Sequence, residues 1–256
     1  MGEAAGPGDF ILQTKGLSKD FLGFSAVRNV DLNVRRGTVH ALIGPNGAGK
    51  TTVFNLLTKF LKPSAGRIYH RGDDITTLAP ADVALRGLVR SFQISAVFPH
   101  LTAFENVRLA LQRPLGVSYR FWMAEEKLSS LRSRAEELLQ SVGLIDFADL
   151  TAAELSYGRR RALEIATTLA LDPEVLLLDE PTSGLGLEDV DRIAQLIKTV
   201  AATRTVLMVE HNLSVVSRLS HTITVLARGQ ILAEGPYETV SRHPDVIQAY
   251  LGGGHA

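Results

Sequence analysis

The sequence predicts an α/β fold with a mixed sheet at its core. Three observations lead there. Ala41–Ile43 (A-L-I) and Val175–Leu178 (V-L-L-L) are unbroken apolar runs, as expected of strands buried on both faces in a parallel sheet. Val30, Leu32 and Val34 alternate with polar residues, the pattern of a half-buried strand. Leu128, Leu131, Ala135, Leu138 and Val142 fall at helical spacing with charges on the other side, which predicts a helical insertion between the two buried strands.

Bulk composition narrows the function classes. At 256 residues the chain has room for one large domain or two small ones. Lys+Arg and Asp+Glu are both 27, so the balance gives no support to a bulk nucleic-acid binder. There is no cysteine, which excludes a disulfide scaffold and a cysteine nucleophile and fits a reducing compartment. The first nine residues, M-G-E-A-A-G-P-G-D, read as a flexible tail and carry no signal-peptide pattern. No stretch approaches the roughly 18 apolar residues of a membrane span, so any membrane role must come through a partner.

In chain order, Phe10–Lys15 reads as a first strand, and Phe21 falls in the loop that follows. An exposed Phe21 could stack on an adenine ring or simply pack as a loop aromatic. Arg36-Gly37 turns the alternating strand into the Ala41–Ile43 strand. That strand breaks at Gly44, and Gly44–Thr51 has the spacing G-x-x-x-x-G-K-T, the phosphate-loop pattern. Gly44, Gly47 and Gly49, with Pro45, Asn46 and Ala48 between them, let backbone N–H groups face phosphate oxygens. A helix from about Gly49, running through Thr52, adds the positive end of its dipole. Lys50 can reach the β- and γ-phosphates, and the Thr51 hydroxyl can ligate Mg²⁺.

Lys62–Gly66 is a turn cluster, Ile68-Tyr69 resumes strand, Leu78–Arg86 suits a short helix, and Leu88–Phe92 a further strand. Gln93 stands at its end, either as a surface amide or within reach of Mg²⁺ or its water. Thr102 and Glu105 make a capping box for a helix to about Gln112. Pro114–Met123 is irregular and holds Tyr119, Phe121 and Trp122, read as packing or as a partner surface. A helix follows over Ala124–Val142.

Leu155-Ser156-Tyr157-Gly158-Arg159 precedes a helical run from Arg160 to Leu171. Ser156 can cap that helix, and the free N–H groups beside Gly158 make a second anion-binding helix start. Arg159–Arg161 could be a nucleic-acid patch or a solvated face, with Glu164 placed to pair with Arg160. The buried V-L-L-L strand ends in Asp179-Glu180, where open α/β sheets bind ligands. There Asp179 can hold Mg²⁺ through water, and Glu180 can orient or deprotonate an attacking water. Val190–Val200 reads as an amphipathic helix and Thr205–Val209 as another buried strand. Glu210-His211 follow, and His211 at a strand end could donate to a γ-phosphate. Thr222–Leu226 and Gln230–Ala233 read as a hairpin, and Pro244–Leu251 as a final helix.

Taken together, G-P-N-G-A-G-K-T-T, a strand-end glutamine, a helical insertion, L-S-Y-G, L-L-L-D-E-P and a strand-end histidine resemble the nucleotide-binding subunit of an ATP-binding cassette (ABC) transporter. The resemblance runs from Phe10 to Leu251. It implies a P-loop ABC ATPase fold: a core of residues 10–93 and 160–235 with an antiparallel β subdomain, a helical subdomain of 94–159, and a C-terminal tail of 236–256. It implies ATP and Mg²⁺ as ligands. Phe21 would stack on adenine, Gly44–Thr52 would be Walker A, and Gln93 would sense Mg²⁺ and couple to the permease. Ser156, Tyr157 and Gly158 would be the signature that meets the γ-phosphate held by a second cassette. Asp179 would be the Walker B aspartate, Glu180 the catalytic base and His211 the switch histidine. The implied partners are a second cassette, transmembrane permease subunits and, indirectly, a substrate-binding protein, with no nucleic acid. The implied place is the cytoplasmic face of the membrane, peripherally.

Within the family the likeness is to the branched-chain amino acid transporter ATPases. It rests on Phe21–Val27, R-S-F-Q (Arg90–Gln93), L-T-A-F-E-N-V (Leu101–Val107), Tyr157 and P-D-V-I-Q-A-Y-L-G (Pro244–Gly252). Gly186 stands where many cassettes have aspartate, and Arg159 where glutamine is more frequent. Rival cargoes are urea, short amides, other amino acids and exported lipid or lipopolysaccharide; a soluble cassette acting on nucleic acid or ribosomes is the alternative class.

Overall fold

A computed structural model of the chain describes residues 9–91, 97–112 and 125–251. Gln93 and the aromatic trio Tyr119, Phe121 and Trp122 lie outside the described residues, as do residues 1–8 of the predicted N-terminal tail. The chain runs β1 (Phe10–Phe21), β2 (Phe24–Val30), β3 (Asn33–Arg35), β4 (Val39–Ile43), α1 (Lys50–Leu57), β5 (Ala65–His70), β6 (Asp73–Asp74), α2 (Pro80–Leu85) and β7 (Leu88–Arg90). It continues with α3 (Ala103–Gln112), α4 (Glu125–Ser141), α5 (Tyr157–Leu169), β8 (Val175–Asp179), α6 (Leu187–Ala201), β9 (Thr205–Val209) and α7 (Leu213–Leu219). β10 (Thr222–Ala227), β11 (Gln230–Gly235), α8 (Tyr237–Val240) and α9 (Pro244–Leu251) close it.

Two sheets form. In the antiparallel one, β1 pairs with β2, β3 and β5, and β6 extends β5. The other has the order β11-β10-β4-β9-β8-β7, parallel from β10 to β7 with β11 antiparallel at its edge. Every residue of β4 and β9 is buried, His40 and Thr205 included, as befits strands covered on both faces. Successive side chains serve different cores. Ala41, Ile43, Leu176, Leu178, Val206 and Met208 pack with α3, α4, α5 and α6. Leu42, Val175, Leu177, Leu207 and Val209 pack with α1 and the antiparallel sheet. The predicted apolar face of α4 is there: Leu131, Ala135, Leu138 and Val142 are buried in the first core, while the side chain of Leu128 is not described.

Among the boundaries that differ from the sequence reading, three have a definite structural cause. β1 runs to Phe21, not Lys15, so Phe21 ends a strand. Register shifts between Leu17, Lys19 and Asp20 break the two-residue period by which a strand is recognised. Val30–Val34 is two strands, because the Thr14 hydroxyl donates to Val30 O (2.7 Å) and accepts from Leu32 N–H (2.8 Å), pinning the chain between them. α5 starts at Tyr157, three residues before the predicted Arg160, since Ser156 caps it by accepting from Arg159 N–H (3.4 Å). The capping box of α3 is present: Thr102 N–H donates to the Glu105 carboxylate (2.9 Å), and Glu105 N–H donates to the Thr102 hydroxyl (3.1 Å). Glu164 takes Arg161 as its partner (3.1 Å) instead of Arg160.

Lys59, just past α1, is a liability in this fold. It is 7 % exposed, sits at φ 65 and has no hydrogen-bond partner for Nζ among the described residues. Burial pulls its pKa down to about 8, against the attraction of Asp74. Folding therefore carries a full penalty below pH 8, where both states hold the proton, and the penalty fades as pH rises from 8 to 10.5, where only the unfolded chain holds it. Lys59→Met keeps the aliphatic stem and removes the charge. Denaturant titrations are expected to find it more stable by about 1–2 kcal/mol at pH 7, with the gap closing near pH 10.5.

Candidate nucleotide-binding site

The parallel sheet brings the candidate residues together. β4, β8 and β9 are neighbours in register: Leu42 lies beside Val209, and Val209 beside Asp179. Three segments therefore leave one edge of the sheet side by side: the loop from Gly44, the Asp179-Glu180 pair and Glu210-His211. This carboxyl edge is where open α/β sheets hold ligands.

The loop after β4 needs glycine for steric reasons. Gly44 has φ 149, and a Cβ there would lie 2.1 Å from the Leu226 carbonyl oxygen. Gly49 has φ 101, and its Cβ would meet the Ala26 carbonyl at 2.6 Å. Between them Pro45 and Ala48 close a turn, Ala48 N–H donating to Pro45 O (3.2 Å), which leaves Asn46 and Gly47 exposed at its crest. No side chain caps α1 at Gly49, so the first N–H groups of the helix remain available to an anion. Thr51 is exposed on that first turn and Thr52 is half-buried. Lys50 folds back over the loop, its ammonium donating to Gly44 O (2.8 Å) and Pro45 O (3.0 Å). Burial lowers its pKa, while the charges of Glu180 and Asp179 push it back up.

Asp179 is not alone at the strand end. One of its oxygens, Oδ2, is engaged by the guanidinium of Arg90, which is 3 % exposed, also donates to Asn55 Oδ1 (2.7 Å) and lies over the Phe54 ring. Arg90 ends β7, the strand paired with β8, so the sheet itself delivers the cation to the carboxylate. Glu180 has φ 48, a left-handed conformation that a glutamate adopts only where its surroundings impose it. Its N–H donates to Val209 O (2.9 Å), and its own carbonyl accepts from Ser183 N–H (3.1 Å). His211 is exposed at the end of β9, whereas its neighbour Glu210 is fully buried.

Ser156, Tyr157 and Gly158 form a second cluster. Ser156 and Tyr157 are exposed. The Tyr157 hydroxyl accepts from Arg161 (2.8 Å), and its ring lies against Gly184. Gly158 is buried against α6, and a Cβ on it would strike the Asp189 carboxylate at 2.3–2.5 Å. Arg159 lies over the Phe147 ring, 3.8 Å from its centroid, so the residue that departs from the frequent glutamine packs here as a cation on an aromatic. Gly186, the other departure, is the N-cap of α6 and supplies no side chain to it. Phe21 is 41 % exposed at a hairpin tip opposite Phe24, with the Lys19 ammonium 5.1 Å from its ring centroid.

Arg90, Glu210 and Asp189 were not singled out from the sequence. Arg90 and Glu210 adjoin recognised motifs, but nothing in the sequence indicates what their side chains touch.

The ABC transporter family matches residues 27–183, more than half of the chain, spanning the loop, the signature segment and the Asp179-Glu180 pair. The chain belongs to the ABC transporter family. A second match, to the branched-chain amino acid ATP-binding cassette transporter family, covers residues 230–256 of this cassette. It is 39 % identical to the high-affinity branched-chain amino acid transport ATP-binding protein BraF of Pseudomonas aeruginosa, over 94 % of this chain and 98 % of that one. It is 37 % identical to LivG of Escherichia coli, named likewise, over the same shares. Among solved structures, the ADP conformation of the ATP-binding cassette MJ1267 superposes with a TM-score of 0.83 at 32 % identity, over 95 % of this chain and 99 % of that one. The dimeric structure of the bacterial ABC transporter cassette MJ0796 superposes with a TM-score of 0.73 at 31 % identity, over 88 % and 98 %. The cassette fold expected from the motifs is thus the fold observed. This cassette binds ATP and couples its hydrolysis to transport. Among the described residues no helix is long and apolar enough to cross a membrane.

The site suits a magnesium ion bound largely through phosphate and water. Thr51 and Asp179 offer hard oxygen donors. Among the described residues no group of three or more His, Asp or Glu gathers into a cage. Mg²⁺ characteristically keeps waters and takes substrate phosphates as ligands, which fits this sparse set.

Proposed function

We propose that this cassette powers a branched-chain amino acid importer, two copies closing head to tail on two ATP molecules. The observation that carries the hydrolytic roles is the convergence at one sheet edge of the loop bearing Lys50 with Asp179 and Glu180, which leave neighbouring strands in register. Residues Gly44–Thr52 cradle the phosphates. Lys50 exchanges the Gly44 and Pro45 carbonyls for phosphate oxygens. Thr51 and Asp179 would hold Mg²⁺, and the motif order would add Gln93 to them. Magnesium, when bound, neutralises charge on the phosphate oxygens. Glu180, held in a left-handed backbone conformation at the end of β8, takes the proton of the attacking water. His211 donates to the γ-phosphate, and Phe21 offers its ring to adenine.

Ser156, Tyr157 and Gly158 complete the site of the facing copy. Support comes from the exposure of Ser156 at the start of a helix and from the dimeric relative. Residues 94–159 act as the helical subdomain inserted into a core of 10–93 and 160–235, and dock on permease subunits at the cytoplasmic membrane face. A substrate-binding protein delivers the cargo to those subunits. The names of the relatives and the match at 230–256 support branched-chain amino acids as that cargo.

The test is copurification from detergent extract followed by reconstitution. Two permease subunits are expected with the cassette, and vesicles are expected to accumulate leucine only with ATP·Mg and the binding protein. Copurifying nucleic acid, or ATP-driven uptake indifferent to leucine, isoleucine and valine, overturns the reading.

A further inference from the structure

Glu210 is 0 % exposed and sits where β9 gives way to the loop carrying His211. A carboxylate so deep is costly unless both oxygens are filled. Here both are. Oε1 accepts from the Thr182 backbone N–H (3.1 Å) and from the Thr182 hydroxyl. Oε2 accepts from His211 N–H (2.7 Å) and Asn212 N–H (2.9 Å). Four donors from two separate loops thus meet on one side chain.

Those loops carry the residues read above as base and phosphate contact. Thr182 lies two residues beyond Glu180 and is 5 % exposed. Glu180 is held on its other side by its N–H bond to Val209 O, the residue before Glu210. The loop of His211 is fixed beyond it as well, since the Asn212 side chain accepts from Ser214 N–H (3.1 Å) and Val215 N–H (3.3 Å) at the start of α7. The backbones flanking Glu180 and His211 are therefore tied to one carboxylate rather than placed separately.

We infer that Glu210 is a positioning residue for hydrolysis, its buried carboxylate locking the loop after Glu180 to the backbone of His211 so that the two functional side chains keep one geometry. This rests on the roles proposed for Glu180 and His211. Glutamine cannot replace it, because its NH₂ would face N–H donors whichever way the amide is turned. Aspartate is one methylene shorter and cannot reach both loops.

The test compares Glu210→Gln, Thr182→Val, Thr182→Ser and the Glu210→Gln/Thr182→Val double variant in the purified full-length cassette. kcat, KM, ATP affinity and thermal midpoint are measured for each. Glu210→Gln is expected to lower kcat about 10–100-fold, with KM and ATP affinity within about three-fold. Thr182→Val is expected to lower kcat about ten-fold, Thr182→Ser to recover most of it, and the double variant to be no worse than Glu210→Gln. Wild-type kcat in Glu210→Gln and Thr182→Val, additive losses, or losses that track ATP affinity overturn the inference. Should Glu210→Gln fail to fold, the contrast between Thr182→Val and Thr182→Ser decides. If Glu180→Gln is inactive while these variants turn over normally, only this inference falls. If Glu180→Gln is active, the underlying assignment of the base falls.

Discussion

Glu180→Gln is expected to lower ATP turnover by at least about 100-fold while ATP affinity stays within about two-fold of wild type. The amide has the shape of the carboxylate but cannot accept the proton of an attacking water. The backbone should tolerate the change, because its left-handed conformation is set by the Val209 and Ser183 contacts and not by the side-chain charge. Nucleotide held without hydrolysis should keep two copies closed, so size-exclusion chromatography with ATP·Mg should shift the variant to a dimer. Wild-type turnover in the variant would remove Glu180 from the role of base.

Lys50→Ala should act on binding. The ammonium lies on the loop's own carbonyls, and a charge-assisted hydrogen bond to phosphate is worth about 1.5–3 kcal/mol. Kd for ATP should rise about 10–100-fold. Thermal unfolding gives a second reading. At ATP one hundred times its Kd, wild type gains about 2.7 kcal/mol, whereas a variant binding 100-fold more weakly gains only about 0.4 kcal/mol. The Gly44 and Pro45 carbonyls lose their donor in this variant, so its circular dichroism without nucleotide must first match wild type. Unchanged affinity in a folded variant would overturn the assignment.

Much of the site was legible because its chemistry is contiguous. A loop that must pass under the Leu226 carbonyl and beside the Ala26 carbonyl writes its constraint into the glycines at 44 and 49. Strands buried on both faces write theirs into V-H-A-L-I and T-V-L-M-V, and a capping box needs only Thr102 and Glu105. Elements with broken periodicity were harder. β1 bulges before Phe21, and the split between β2 and β3 depends on a hydroxyl sixteen to eighteen residues away in sequence.

The sequence by itself determined where the candidate groups for phosphate, a hard metal ion and an activated water lie, in Gly44–Thr52, Asp179 and Glu180, because each set is a short run of neighbouring residues. Only the tertiary structure decided what those residues rest against: Arg90 on Asp179, Glu210 between Thr182 and His211, and Asp189 under Gly158. Arg90 and Asp179 are 89 positions apart, and Glu210 and Thr182 are 28 apart. Such partners meet only because parallel strands with long crossovers bring their ends to a common edge, and no local pattern of residues encodes which ends will be neighbours.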